Sequence, residues 1–153
     1  MNQVQQGFCL KDGIEDPKLY LGTNVQKWSF TSSDGNDKKC LALGSESYVK
    51  EAVRVSENLM KTHNLSYPLH CKSNKSTPFS NHLYRPELDY SSYCNYDLIT
   101  VFQNLIGILR WMCKLGHLDI LYETSVLSQY LAQPRIGHLE QAFHIFHYMK
   151  YHN

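Results

Sequence analysis

Residues 98–112, LITVFQNLIGILRWM, carry the pattern that decides the fold. Apolar side chains recur at intervals of three and four residues from Leu98 through Leu105 to Met112, which is the spacing of one buried face of an α-helix. Gly116 follows this stretch and suits the left-handed conformation that often ends a helix. The stretch therefore predicts a long amphipathic helix whose apolar face packs against other elements.

Two further helices are predicted after this one. Asp119 suits the cap of a helix that runs to Leu131, and Pro134 would end that helix. The last helix is indicated by apolar residues at helical spacing, namely Leu139, Ala142, Phe143, Phe146 and Met149. Because the connections are short, the three helices favour an antiparallel bundle.

A β-hairpin is predicted nearer the start of the sequence. Apolar and aromatic residues stand among turn formers between Leu19 and Phe30, and a second apolar segment covers residues 40–43. The run SSDGND at 32–37 separates the two, and such a cluster of small, polar and glycine residues is typical of a turn.

A helix and a long connector are predicted between the hairpin and the bundle. Ser45 suits the N-cap of a helix over about 46–61. Residues 62–96 hold prolines among Ser, Asn, Lys and His and show little periodicity, as in a surface-wrapping or mobile connector. The predicted fold class is α+β: residues 1–61 form the hairpin and helix, 62–96 the connector, and 97–153 the helical bundle.

Composition and cysteine usage indicate an ordered intracellular protein. The chain is 42% hydrophobic and 19% charged, which argues against disorder. Its formal net charge of +1 carries no signature of a nucleic-acid binder, so any such role depends on local patches. Five widely spaced cysteines and no signal peptide favour a reducing compartment, and we expect the cytoplasm. Since the longest apolar stretch is short and interrupted, we expect a soluble protein without a membrane partner.

The histidines and cysteines do not predict a metal site or a nucleophile. His138, His144 and His147 fall on one predicted helix, yet no Cys-x-x-Cys or His-Glu-x-x-His arrangement accompanies them. We interpret them as half-buried residues of an amphipathic helix. No spacing selects a cysteine–histidine pair, and Trp28 and Trp111 suit core or anchoring positions better than stacking positions. No catalytic or metal-binding residue is therefore predicted.

Several short motifs, taken in order, resemble one protein family. The motifs are Tyr20-Leu21-Gly22, Ser47-Tyr48-Val49-Lys50, Tyr84-Arg85-Pro86-Glu87-Leu88-Asp89, Leu105-Ile106-Gly107-Ile108-Leu109-Arg110-Trp111 and Ile145-Phe146-His147-Tyr148-Met149-Lys150. Each alone is weak, but the ordered set is specific. Together they are similar to the Pol polyprotein of copia-type (Pseudoviridae) LTR retrotransposons, in the C-terminal part of its reverse transcriptase domain. That part runs from the primer-grip hairpin at the end of the palm through the helical thumb.

The resemblance implies a role in holding nucleic acid. In the intact family enzyme the hairpin supports the primer end, and the thumb helices touch the template–primer backbone. The nucleic-acid-binding residues expected on this basis are Tyr20, Leu21, Gly22, Lys27, Trp28, Arg110 and Lys114. Glycine lets a backbone approach phosphate closely, and cations neutralise phosphates. Lysines on an exposed hairpin also serve solubility, so both interpretations stay open for any single lysine.

Autonomous catalysis is not expected of this chain. Nucleotide transfer needs two divalent ions held by carboxylates, and the sequence lacks the family's Tyr-x-Asp-Asp turn. The resemblance places that turn upstream of the hairpin and a ribonuclease H domain beyond the thumb, so we expect both active sites to lie outside this chain. No cofactor is expected here, although the intact family enzyme would use Mg²⁺, and its partner would be template–primer nucleic acid.

Two other functions remain open at this point. A helical interaction protein would recruit protein partners through surfaces that meet other domains in the intact enzyme. A non-functional remnant of a degenerate element would do neither.

Overall fold

The computed structural model describes residues 18–20, 23–65, 76–79 and 84–152. Strands and helices are both present, which confirms the predicted α+β class. Contacts within the chain divide it into two units, residues 1–44 and residues 45–153. The described strands belong to the first unit and the described helices to the second.

The first unit contains an antiparallel sheet whose strands follow one another in chain order. The strands are β1 (Leu19–Tyr20), β2 (Thr23–Thr31) and β3 (Asp37–Gly44). β2 pairs with β3 from Thr31 opposite Asp37 to Asn24 opposite Gly44. Gly35 has a φ of 76° in the turn between them, a conformation open to glycine without steric cost. The predicted hairpin is therefore present, with the short β1 beside it.

The second unit is helical. Its α-helices are α1 (Glu46–Thr62), α2 (Tyr96–Lys114), α3 (Leu121–Leu127) and α4 (Ile136–Tyr151). Single 3₁₀ turns occur at Pro86–Leu88, Leu118–Ile120 and Ser128–Tyr130. Side chains from all of these α-helices share one core, in which Phe102, Leu105, Leu109, Leu127 and Phe146 are fully buried.

The helix predicted from residues 98–112 is α2. The Asn95 side chain accepts a hydrogen bond from the Leu98 N–H at 2.9 Å, and this bond caps the start of the helix. Gly116 has a φ of 111° just beyond the end of the helix, as its position suggested. The apolar pattern is buried as expected: Val101, Leu105 and Met112 are each 3% exposed or less.

Residues 118–130 differ from the single helix predicted between Asp119 and Leu131. Asp119 lies inside the 3₁₀ turn, and the residue at the N-cap of α3 is Ile120, which has no side-chain acceptor. After α3 the Ser128 hydroxyl donates to the Thr124 carbonyl at 2.7 Å. Serine and threonine bonds of this kind bend helices, and here the chain tightens into a second 3₁₀ turn.

α1 packs on α4 and α2 and so belongs to the helical unit. Its buried face includes Val49, Val53 and Met60. The sequence-based division grouped this helix with the hairpin in residues 1–61, because an amphipathic pattern shows that one face is buried but not against which element. Ser45 occupies the N-cap position without a capping bond. Its Oγ instead lies 2.9 Å from Nε2 of His117.

The described parts of the connector pack into the helical unit. Phe79 is 7% exposed and belongs to the core. Nε2 of His138 lies 2.9 Å from the Pro86 carbonyl oxygen, and Nε2 of His144 lies 3.1 Å from the Thr77 carbonyl oxygen. Since a carbonyl only accepts, both ring nitrogens act as donors. Where it is described, the connector is therefore held to α4 by two buried imidazoles.

We expect the stability of the helical unit to fall as the pH drops below the ordinary histidine value of about 6.5. Burial, and secondarily the nearby His147, lower the pKa of His144. Between the lowered folded value and 6.5 the unfolded chain binds the extra proton, so stability rises with pH across this window. Urea unfolding at pH 7.5 and pH 5.5 should show a smaller loss in His144→Gln than in the control His63→Gln. An equal loss in the two variants would contradict the assignment.

No helix among the residues that the structure describes is long and apolar enough to cross a membrane.

Candidate nucleic-acid interface

The hairpin residues expected to bind nucleic acid are only partly described. Tyr20 lies on β1 with 56% of its surface exposed. Leu21 and Gly22 lie outside the described residues, so their expected role has no structural counterpart here.

The structure places Lys27 and Trp28 on opposite faces of the β2–β3 ribbon. Successive residues of a strand alternate between faces, and residues directly opposite each other share one. Trp28 pairs with Cys40 and shares its face with Phe30, whose ring stacks on it at 5.7 Å between centroids. Lys27 pairs with Leu41 on the other face. Trp28 is 60% exposed and so does not occupy a core position, while its stacking on Phe30 fits the anchoring position that its type also suggested.

Arg110 and Lys114 both lie on the exposed face of α2. Residues advance about 100° around a helix axis, so Gly107 lies near the centre of this face. Arg110 and Lys114 fall to one side of it, and Trp111 falls to the other. We call Gln103, Asn104, Gly107, Arg110, Trp111 and Lys114 the α2 stripe; all are exposed except the half-buried Trp111.

The two cations of the α2 stripe have no carboxylate partner among the described residues, which distinguishes them from half of the cations described in the helical unit. Lys50 pairs with Glu46, and Arg54 pairs with Glu51, on α1. Lys114 instead places its Nζ 5.7 Å from the centre of the Trp111 ring, a cation–π distance. The positive charge of the stripe is therefore not neutralised within the described unit.

Gly107 leaves the centre of the α2 stripe open, because it has no side chain. A Cβ built at this position meets no atom within 4 Å, so neither packing nor backbone strain within the unit requires a glycine here. Glycine in the middle of a helix destabilises it by roughly 0.5–1 kcal/mol relative to alanine. The residue therefore leaves room for something that approaches the helix from outside.

A cleft of about 300 Å³ borders the stripe on the side of α3. It is lined by Arg110, Cys113, Lys114, Leu121, Thr124, Ser125 and Ser128. Burial raises the pKa of the Cys113 thiol, which keeps it protonated near neutral pH. Burial likewise raises the pKa of Glu123, which lies on α3 with Thr124 and Ser125.

The stripe residues Gln103, Asn104, Gly107 and Trp111 were not among those expected from the sequence. Trp111 suggested a core or anchoring position by its type, and it lies half-buried at the edge of the polar face, on the side of Gly107 opposite Arg110 and Lys114. A helical projection of the sequence would have shown this, because Gln103, Asn104, Gly107 and Trp111 all lie away from the apolar face. Gln103 also donates from Nε2 to the Leu131 carbonyl at 3.0 Å.

A second polar cluster, around Asp89, is structural. Asp89 accepts hydrogen bonds from the Tyr84 hydroxyl at 2.7 Å and from the Ser91 N–H at 2.8 Å. Burial opposes its ionisation, but the bonds from Ser91 and Tyr84 outweigh burial and lower the pKa of Asp89. The Ser91 hydroxyl accepts from the Gly137 N–H at 2.8 Å. Arg135 donates to the Ser91 carbonyl at 2.6 Å. The cluster fixes the connector against the first turn of α4.

Histidines, cysteines and carboxylates do not converge in threes into a possible metal site anywhere in the described ranges. His138 and His144 are buried and bonded to backbone carbonyls. Cys40, Cys94 and Cys113 are free thiols.

Comparison with known proteins identifies a similar retrotransposon protein. The chain is 30% identical over 142 residues to a Ty5-1 transposon protein of Saccharomyces cerevisiae. The match covers 93% of this chain and 39% of the yeast protein, so the chain spans about two fifths of its relative's length. No family model matches the sequence. No solved structure matches it either. The similarity supports a retrotransposon-related origin for the chain.

Proposed function

We propose that this chain is the primer-grip and thumb part of a copia-type reverse transcriptase and that its helical unit contacts template–primer nucleic acid through the α2 stripe. The retrotransposon relative supports the origin. The ordered motifs resembling the reverse transcriptase support the finer assignment. The observation that supports nucleic-acid contact is the exposed α2 stripe, with its two cations that lack a carboxylate partner in the described residues.

The chemistry of the stripe suits a nucleic-acid groove. Because Gly107 has no side chain and nothing fills the space above it, the helix backbone can come close to the sugars of a nucleic-acid strand. The Trp111 ring offers a flat surface for a sugar or base edge. Arg110 and Lys114, on the other side of the stripe, are free to meet phosphates. A single helix face therefore combines close approach, apolar contact and charge neutralisation.

An A-form duplex is the nucleic acid that suits a helix face of this kind best. Its minor groove is wide and shallow and displays sugars rather than a base-specific code. The stripe has amides at Gln103 and Asn104 but no arrangement that would read a base sequence. We therefore propose contact that depends on duplex shape and backbone, as a polymerase requires on any template.

Catalysis in this proposal belongs to a longer protein. The paired aspartates and the Mg²⁺ that they hold would lie in polypeptide outside this chain, and the chain would supply only the nucleic-acid support. Lys27 and Trp28 lie on opposite faces of the β2–β3 ribbon. A nucleic acid lying on one face of the ribbon would therefore meet only one of these two side chains.

The proposal is tested by mapping the contact with backbone amide NMR. Titrating the labelled chain with a primed RNA–DNA duplex should shift or broaden the amide of Gly107 and the indole N–H of Trp111. The amides of Lys50 and Arg54 on α1 serve as the internal reference and should stay in place. Changes confined to α1, or no change at low salt, would rule out the stripe as the contact surface.

A further inference from the structure

The cleft between α2 and α3 brings together hydrogen-bond donors from two elements. Arg110 and Lys114, one turn apart on α2, line one wall, and Ser125 of α3 lies exposed on the other. The Ser128 hydroxyl already donates to the Thr124 carbonyl, and the Thr124 side chain is buried, at 2% exposure. Ser125 is therefore the α3 hydroxyl that remains available to an outside ligand.

The charge of the cleft suits an oxyanion, and its volume has room for a phosphate group. Its volume of about 300 Å³ is open on one side and exceeds that of one tetrahedral phosphate. Neither lining cation has an ion pair within the part of the chain that is described. The lining residues include no carboxylate. Two cations and a hydroxyl provide charge-assisted hydrogen bonds, which are about twice as strong as bonds between neutral groups.

We propose that this cleft is a seat for one phosphate group, held by Arg110 and Lys114 from α2 and by Ser125 from α3. The inference rests on the proposed function, because a phosphodiester of the duplex lying on the α2 stripe is its expected occupant. Such a seat would fix the position of the strand along α2, since a hydroxyl from α3 and two cations from α2 would meet one phosphate. Nonspecific attraction would let the duplex slide.

The test is a scan with neutral backbone linkages. A set of primed duplexes carries one methylphosphonate each, moved step by step along one strand, and the affinity of the full chain is measured for each. A phosphate seat predicts one position at which affinity falls on the order of tenfold. In Arg110→Ala/Lys114→Ala that position should lose most of its effect and in Ser125→Ala part of it, whereas Ser47→Ala, an exposed serine on α1, should behave as the parent.

The other source of the same chemistry is free phosphate. Inorganic phosphate is titrated into the labelled chain against sodium chloride of equal ionic strength, and the amides of Ser125 and Lys114 are followed. Shifts specific to phosphate, and smaller in Ser125→Ala, would support the seat and show that a free anion is enough to occupy it. Duplex binding with a flat methylphosphonate scan and no phosphate-specific shift would overturn the seat while leaving the proposed function standing. If the parent chain shows no duplex binding at all, both the seat and the proposed function are overturned.

Discussion

Replacing Gly137 with alanine is expected to lower the free energy of unfolding of the helical unit by roughly 3 kcal/mol. A Cβ at this position would stand 1.9 Å from Oδ2 of Asp89 and 2.7 Å from its Cγ. The carboxylate cannot rotate away cheaply, because Tyr84 and Ser91 hold it by hydrogen bonds. The new methyl group must therefore break these bonds or push the connector off α4.

Gly107→Ala is the matched control for this substitution. Both glycines lie in α-helices, but a Cβ at Gly107 meets nothing within 4 Å. Its replacement should stabilise the unit by roughly 0.5–1 kcal/mol, because alanine favours the helix. Urea unfolding followed by far-ultraviolet circular dichroism measures both. Equal stabilities for the two variants would show that Asp89 does not press on α4 in this way.

The sequence predicted the elements of the fold better than their assembly. The helix over 98–112 and the last helix follow from apolar spacing, which depends on the residues of each segment alone. The division at Gly44 does not follow, because which partner covers α1 depends on the whole fold. The connector showed no apolar periodicity in the sequence because polar groups hold it in place. His138 bonds to the Pro86 carbonyl, about fifty residues away in sequence, and Asp89 accepts from Ser91 in the turn beside it.

The candidate site was predictable in part. Arg110 and Lys114 were expected from the family resemblance, and both lie exposed on one helix face. Lys27 and Trp28 were both expected to bind nucleic acid, and their register places them on opposite faces of the ribbon. Adjacent residues in a strand always alternate, so the strand assignment itself contained this result. The contribution of Ser125 depends on how α3 sits against α2, which no local pattern shows.

Removing both cations of the α2 stripe is the second substitution with a large expected effect. Arg110→Ala/Lys114→Ala should weaken binding to a primed duplex on the order of tenfold at low salt. Neither side chain has a carboxylate partner in the described residues, so their loss leaves no orphaned charge. The variant should therefore fold as the parent does, and its thermal unfolding should be unchanged within about 0.5 kcal/mol.

The chain offers a closely matched control for this pair. Lys50 and Arg54 are the same residue types, also one turn apart and exposed, on α1. Lys50→Ala/Arg54→Ala removes the same net charge from the protein. Any difference between the two variants therefore reports the position of the charges and not their number.

The salt dependence of duplex binding tests the central claim most directly. The logarithm of the association constant is measured against the logarithm of the salt concentration for the parent chain and both double variants. Each phosphate contact adds about 0.9 to the steepness of this line. We predict that Arg110→Ala/Lys114→Ala reduces the slope by about 0.9, because both cations meet one phosphate, whereas Lys50→Ala/Arg54→Ala leaves it as in the parent. The same slope in all three proteins would contradict a nucleic-acid contact through the α2 stripe.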